Sequence, residues 1–176
     1  MNYINETAIV EEGVEIGDNV KVWHFTHIMP GAKIGNNVTI GQGCFIQTGA
    51  IIGDNVKIQN NVSVYAGVVL EDNVFIGPSV VFTNVRKPKA DTHIEPENYA
   101  NTTVRRGATI GANSTIVCGI EIGENSMIGA GSVVTKSVPP AVTVVGNPAG
   151  ILVRDVKGIP FVISFEAYYV KKRHLR

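Results

Sequence analysis

The sequence predicts an all-β fold, a triangular prism of short parallel strands, and two periodicities predict it. Stepping by six from Ile4 meets Val10, Ile16, Val22, Ile28, Ile34, Ile40, Ile46, Ile52, Ile58, Val64, Leu70, Ile76 and Phe82, and the register returns at Val104, Ile110, Ile116, Ile122, Ile128 and Val134. A step of six fits neither the 3.6 of a helix nor the 2 of a long strand. It fits short strands joined by tight turns, each sending one large aliphatic side chain inward, with a small or β-branched residue such as Val20, Ala32, Val38, Ala50 or Val56 four places later. The second period is eighteen: Asn19, Asn37, Asn55 and Asn73 mark one corner, and Gly13, Gly31, Gly49 and Gly67 another. Asn and Gly adopt a left-handed backbone cheaply, so each corner calls for one. Three hexapeptides per coil then stack Ile34, Ile52 and Leu70 on one face, pointing inward, in a prism of about six to seven coils.

Composition narrows the functional classes. The 176 residues suit one domain with one core. Fifteen basic residues balance fifteen acidic ones, so no overall field recruits nucleic acid. No apolar run approaches the ~18 residues of a membrane span, and the first residues lack the basic-then-apolar pattern of a signal peptide. Cys44 and Cys118 show no metal-ligand spacing with each other or with histidines. A cytoplasmic protein with two reduced thiols is expected.

The repeat breaks once. Phe82 to Val104 is twenty-two residues, not a multiple of six. The stretch 83–103 is polar, contains Pro88 and Pro96, and is expected to leave the prism as a long loop. Loops of this length on a rigid scaffold carry function. The coil is expected to end near Val138-Pro139-Pro140, because consecutive prolines cannot donate ladder hydrogen bonds. Residues 1–150 thus form the main domain and 151–176 a C-terminal extension. Its aromatics (Phe161, Phe165, Tyr168, Tyr169) can cap the open end, and its basic end, Lys171 to Arg176, is either a phosphate-neutralising arm or a solvated tail.

The run Ile34-Gly35-Asn36-Asn37-Val38-Thr39 and its neighbours resemble the hexapeptide-repeat acyltransferases over about residues 4–150. The resemblance implies a left-handed parallel β-helix, an exception to the usual crossover hand. It also implies acetyl-CoA as co-substrate, a homotrimer with sites between subunits, and a loop reaching toward a neighbour. Ala112 and Ala130, Asn113 and Gly131, and Cys118 and Lys136 are pairs eighteen apart, so each pair stacks on one edge. Small residues there let a pantetheine arm approach the backbone, and Lys136 can meet a CoA phosphate; a tight corner alone would also call for small residues. Val145-Gly146-Asn147-Pro148-Ala149 resembles the family's terminal segment beside the CoA groove, which adds Asn147 and Pro148 to the expected cofactor contacts.

Acyl transfer to a hydroxyl usually employs a histidine base. The four histidines are His24, His27, His93 and His174, and the middle coils around Asn60 and Tyr65 hold none. A neutral amine needs no base to be nucleophilic. Trp23-His24-Phe25, Lys57 to Tyr65, Gly77-Pro78-Ser79, Phe82-Thr83-Asn84-Val85 and Gly111 to Gly119 together resemble the branch that N-acetylates the 3-amino group of nucleotide-linked 3-amino sugars for lipopolysaccharide or other surface glycans. A dTDP-linked 3-amino-3,6-dideoxyhexose is favoured over a UDP-linked 3-amino-uronate. In that branch the amine attacks the thioester directly. Asn84, at the root of the loop, is the expected catalytic orienter, with His24, Asn60, Tyr65 and Arg86 as substrate contacts. The main rival is an O-acetyltransferase using His24 or His93 as base. A zinc carbonic anhydrase on the same prism needs three converging imidazoles, and the coils offer only His24 and His27; no metal is expected. An ice-binding prism would need a repeated threonine face and no long loop.

Overall fold

A computed structural model describes residues 1–173; His174, Leu175 and Arg176, and with them the end of the basic run, lie outside the described residues. Strands of mostly two residues assemble into three sheets, almost wholly parallel. The first face starts with Tyr3–Ile4, the second with Ile9–Val10 and the third with Glu15–Ile16, and each later coil adds one strand to each face. Seven complete coils and the start of an eighth result, slightly more than the repeat count alone suggests. Ile34 pairs with Ile52 and Val69-Leu70 with Ile51-Ile52 on the third face, and all three inward residues are buried. One continuous core of stacked Ile, Val and Leu runs along the axis, from Val20 to Val144.

The corners show why the eighteen-residue period is strict. At each one a residue takes positive φ, and along two of the three edges, from Asn37 and from Gly43 onward, its amide bonds the carbonyl of the neighbouring coil. The edge between third and first faces uses Asn19, Asn37, Asn55, Asn73, Gly107, Asn125 and Ala141. Side chains reinforce it: Asp18 N–H donates to Asn36 Oδ1, Asn36 N–H to Asp54 Oδ1 and Asp54 N–H to Asp72 Oδ1. The edge between second and third faces uses Gly13, Gly31, Gly49, Gly67 and Gly119. The edge between first and second faces uses a mixed set that no simple sequence pattern marks: Phe25, Gly43, Asn61, Ser79, Asn113 and Gly131.

The excursion closes earlier than its polar composition suggests. Leu70 pairs with Val104, thirty-four residues on instead of eighteen, so sixteen residues are inserted. Thr102 and Thr103 already belong to the strand Thr102–Val104, and Thr102 is buried because its N–H bonds Gly67 O and its hydroxyl accepts Gly119 N–H. Thr83 N–H still bonds Ile116 O, so only residues 84–101 leave the ladder, with one short 3-10 turn at Pro96–Asn98, and Ala100 N–H to Asn84 O ties the loop's base. Arg105 staples the coils across the insertion, 2.7 Å from Glu71 and 2.6 Å from Glu121. Burial works against the Glu71 carboxylate, but Arg105 and the Arg106 N–H outweigh it and hold Glu71 below the usual range.

Nor does the coil stop at the prolines. Val138 bridges to Ile122, its N–H bonds Glu121 O, and Thr143–Val145 adds a further strand to the first face. Pro139 and Pro140 fall on the corner where the third face ends, so the donor that Gly123 supplies one coil earlier has no further strand to meet. An antiparallel hairpin, Gly150–Arg154 with Pro160–Ile163, extends the first face, and the helix Phe165–Arg173 follows. Phe165 is buried in the core cluster with Tyr168 packed against it, whereas Phe161 and Tyr169 stay exposed, so the aromatic cap is partial.

A core this uniform predicts a clear contrast. Ile58→Ala removes a fully buried side chain and should lower unfolding free energy by about 2–5 kcal/mol in denaturant titration. Val156→Ala, at a fully exposed position between the two strands of the C-terminal hairpin, should change it by less than about 1 kcal/mol.

Candidate functional site

Stacking gathers the expected site residues onto two edges. On the edge between first and second faces, His24, Gln42, Asn60, Pro78, Ala112 and Ala130 form one column. Its links are Gly43 N–H to His24 O, Asn61 N–H to Gln42 O, Ser79 N–H to Asn60 O, Asn113 N–H to Pro78 O and Gly131 N–H to Ala112 O, all between 2.8 and 3.0 Å. Successive coils climb about 4.8 Å, so Ala112 stands roughly 10 Å above Asn60 along the edge. The lower end is polar and aromatic and the upper end small. A side chain at Gly111 would meet the Ala130 backbone N at 2.5 Å, so coil packing alone demands glycine there. At Gly131 a Cβ would meet nothing within 4 Å, so that corner faces open space.

The terminal segment completes the upper end. Val133 N–H bonds Gly146 O, Gly146 N–H bonds Ser132 Oγ, and Ala149 N–H bonds Val133 O. This lays Asn147 and Pro148, joined by a cis peptide bond and both exposed, beside the last second-face strand and the Gly131 corner.

The edge between second and third faces carries the remainder. Tyr65 and Asn84 are half-buried, Arg86 is exposed, and Cys118 and Lys136 continue the column of Asn84. Thr83 Oγ1 accepts Cys118 N–H at 2.9 Å, and the Arg86 guanidinium reaches Gly119 O at 3.4 Å. Cys118 is 2% exposed, so its thiol does not present itself to a ligand at the surface. Lys136 Nζ is engaged by the carboxylate of Glu166 on the C-terminal helix. Beside this pair Thr135, Pro148, Ala149 and Phe165 line a cavity of about 270 Å³. The two edges are separated by the second face: Asn60 to Tyr65 spans five residues, roughly 16 Å of extended chain. One chain therefore does not bring Asn84 onto the column of Asn60 and Ala112.

The histidines do not converge. His24 Nε2 lies 3.2 Å from Asn5 Nδ2 on the first edge, and His27 is 2.5 Å from Glu11 on the outer second face, edge-on to Phe45. His93 sits in the loop, 3.4 Å from Glu95. Among the described residues no three His, Cys, Asp or Glu side chains cluster as metal ligands, and no helix is long and apolar enough to cross a membrane. The features that single-sequence patterns missed are Trp23, Gln42 and Gln59, which line a second cavity of about 220 Å³ with Thr39, Gly41 and Asn60. Trp23, Gly41 and Gln59 are spaced by eighteen, as are His24, Gln42 and Asn60, and that spacing was the available signal.

Residues 2–48, 49–84 and 101–136 match the family model described as bacterial transferase hexapeptide (six repeats), skipping the loop. Residues 31–66 also match the hexapeptide repeat of succinyl-transferase. Over 56 residues the chain is 47% identical to dTDP-3-amino-3,6-dideoxy-alpha-D-galactopyranose 3-N-acetyltransferase of Aneurinibacillus thermoaerophilus, a stretch covering 32% of this chain and 29% of that protein. A histidine-to-alanine variant of GDP-perosamine N-acetyl transferase from Caulobacter crescentus, in complex with CoA and GDP-perosamine, superposes with TM-score 0.52 at 25% identity, covering 85% of this chain and 55% of that one. A hexapeptide-repeat acetyltransferase from Vibrio cholerae complexed with acetyl coenzyme A gives 0.59 at 29%, covering 69% of each chain. The chain thus spans under a third of the curated relative and about half of the Caulobacter protein.

The ion pair at the upper end gives a pH test. The Lys136 ammonium holds the Glu166 carboxyl at about 2, below its ordinary 4.5. A depressed carboxylate adds stability above the unfolded value and loses it as pH falls through the folded one. Docking of the helix Phe165–Arg173 should therefore loosen between about pH 4.5 and 2, and high salt should weaken it at neutral pH. Lys136→Ala should return Glu166 toward its ordinary titration, as followed by carboxyl NMR.

Proposed function

We infer that this chain, which belongs to the bacterial hexapeptide transferase family, transfers the acetyl group of acetyl-CoA to the 3-amino group of a nucleotide-linked 3-amino sugar. A dTDP-3-amino-3,6-dideoxyhexose is the favoured acceptor, destined for a surface glycan or lipopolysaccharide and acetylated in the cytoplasm. The 47% identity to a dTDP-3-amino-sugar N-acetyltransferase supports the acceptor class. The observation that carries the chemistry is the first edge itself. Between its polar lower end and its small upper end, the corner residues 59–61, 77–79 and 111–113 include no titratable side chain.

An acceptor laid along the lower half and a pantetheine arm along Ala112, Asn113, Ala130 and Gly131 would meet near Pro78. There the amine nitrogen attacks the thioester carbonyl, the C–N bond forms, the C–S bond breaks, and the departing thiolate takes the amine proton. No protein base is needed, and orientation supplies most of the rate. Asn84 belongs to the other edge of the second face. A homotrimer that sets the second-to-third edge of one subunit against the first-to-second edge of its neighbour brings Asn84, Tyr65 and Arg86 to the acceptor. The exposed Ile9 and Val81 of the intervening face support such burial.

Turnover of a panel of nucleotide 3-amino sugars with acetyl-CoA, read by released thiol, tests the assignment. Asn84→Ala should cost about 10²-fold in kcat by misplacing the acceptor. His24→Asn should cost far less and chiefly in KM. The second reading, O-acetylation with a histidine base, is favoured only by the His93–Glu95 pair. A His93 or His24 variant that binds both substrates yet loses nearly all turnover would establish it instead. Sedimentation should show a trimer, and a stable, fully active monomer would remove the shared site.

A further inference from the structure

The lower end of the first edge holds side chains that the acetyl transfer does not use. Trp23 is 40% exposed and forms one wall of the 220 Å³ cavity. Tyr3 backs it at 5.4 Å between ring centroids and His24 stacks beside it at 6.2 Å, 21° from parallel, which fixes the indole in place. The next corner residue, Phe25, holds positive φ while 71% exposed, a strained choice for a bulky side chain where the neighbouring coil uses Gly43. The Gln42 and Gln59 carboxamides enter the same cavity and have no protein partner among the described residues, and Asn60 spends only Oδ1, on Gln42 N–H.

Charge lies directly alongside. On the first face Lys21 and Lys57 both pair in register with Thr39, which lines the cavity, so the lysines flank it on either side. Two coil spacings put them roughly 10 Å apart at Cα, within mutual reach of their long side chains. Lys33 and Lys136 have carboxylate partners, whereas Lys21 and Lys57 have none among the described residues.

We propose that this cavity is a nucleoside-diphosphate subsite: Trp23 stacks the base, the Gln42 and Gln59 carboxamides bond its edge, and Lys21 and Lys57 clasp the diphosphate. A flat π-face, uncommitted amide donors and acceptors, and a pair of free ammonium groups are the three chemistries such a ligand requires. The subsite lies on the column of Asn60 and Ala112, so a sugar on the distal phosphate points up the edge toward Pro78. The inference rests on the proposed nucleotide-linked acceptor, but its test needs no turnover.

Trp23 is the sole tryptophan, so its fluorescence reports base stacking directly. In the intact protein without acetyl-CoA, dTDP should quench it saturably. The Lys21→Ala/Lys57→Ala double variant should weaken dTDP roughly tenfold or more, reduce the salt dependence of binding, and leave thymidine affinity nearly unchanged. Trp23→Ala should cost roughly tenfold for both ligands by calorimetry, and Trp23→Phe should recover most of it. Absence of saturable quenching, or dTDP affinity indifferent to both lysines, overturns the subsite. Acetylation of an amino sugar without that quenching would leave the proposed function standing and this subsite refuted. Quenching as described without acetyl transfer would do the reverse.

Discussion

The bond on which everything else depends is the corner amide donated to the carbonyl one coil away. Because His24, Gln42, Asn60, Pro78 and Ala112 each lend a carbonyl to the next coil, a coil can change length only away from this edge, where the change leaves these bonds in register. The inward aliphatics must then repeat in register to fill the axis, and the corners must accept positive φ. A column of surface residues is a by-product of that ladder. Chemistry distributed along an edge inherits a spacing of about 4.8 Å per coil without any further design.

Both departures from the period fall on the same edge. Sixteen residues are inserted between Phe82 and Val104, and two are removed between Val134 and Val138, which bridges to Ile122. Each change occurs where the chain passes from second to third face. The first edge is left uninterrupted from His24 to Gly131, while the second-to-third edge acquires the loop and a shortened last turn. A long loop is tolerated there because closing it costs only slowly growing entropy, and Arg105, held by Glu71 and Glu121, refastens the coils where it returns.

The core was legible because its signal is both periodic and chemically uniform: Ile34, Ile52 and Leu70 could be assigned to one inward row from spacing alone. Two of the three corners were legible for the same reason. The third was not, because Phe25, Gly43, Asn61, Ser79 and Asn113 share a backbone conformation but no single residue type. Thr102 reads as loop by polarity and is buried because its hydroxyl and amide are both satisfied by neighbouring coils. Pro139 and Pro140 read as a terminus of the whole coil, but end only the third face, where no further strand calls for their donors. The pairing of Lys136 with Glu166 joins residues thirty apart with no periodic relation, so no spacing argument finds it. Stacking by eighteens correctly grouped the candidate residues into columns; that the columns occupy different edges follows only from counting which corner each one turns.

A rigid prism is a fitting scaffold for the proposed transfer, which asks for placement and little else. An amine and a thioester already possess the nucleophile and leaving group, and what remains is to hold two extended molecules end to end with small error. The first edge offers a straight track whose floor is backbone locked by a hydrogen bond at each coil. In the proposed reading, small corners such as Ala112, Ala130 and Gly131 would admit a chain-like ligand at one end, while Trp23, Gln42, Gln59 and Asn60 line the other. The one long excursion, residues 84–101, is confined to the opposite edge of the second face. Under the proposed function, exchanging that loop would alter which acceptor is oriented without disturbing the first-edge track.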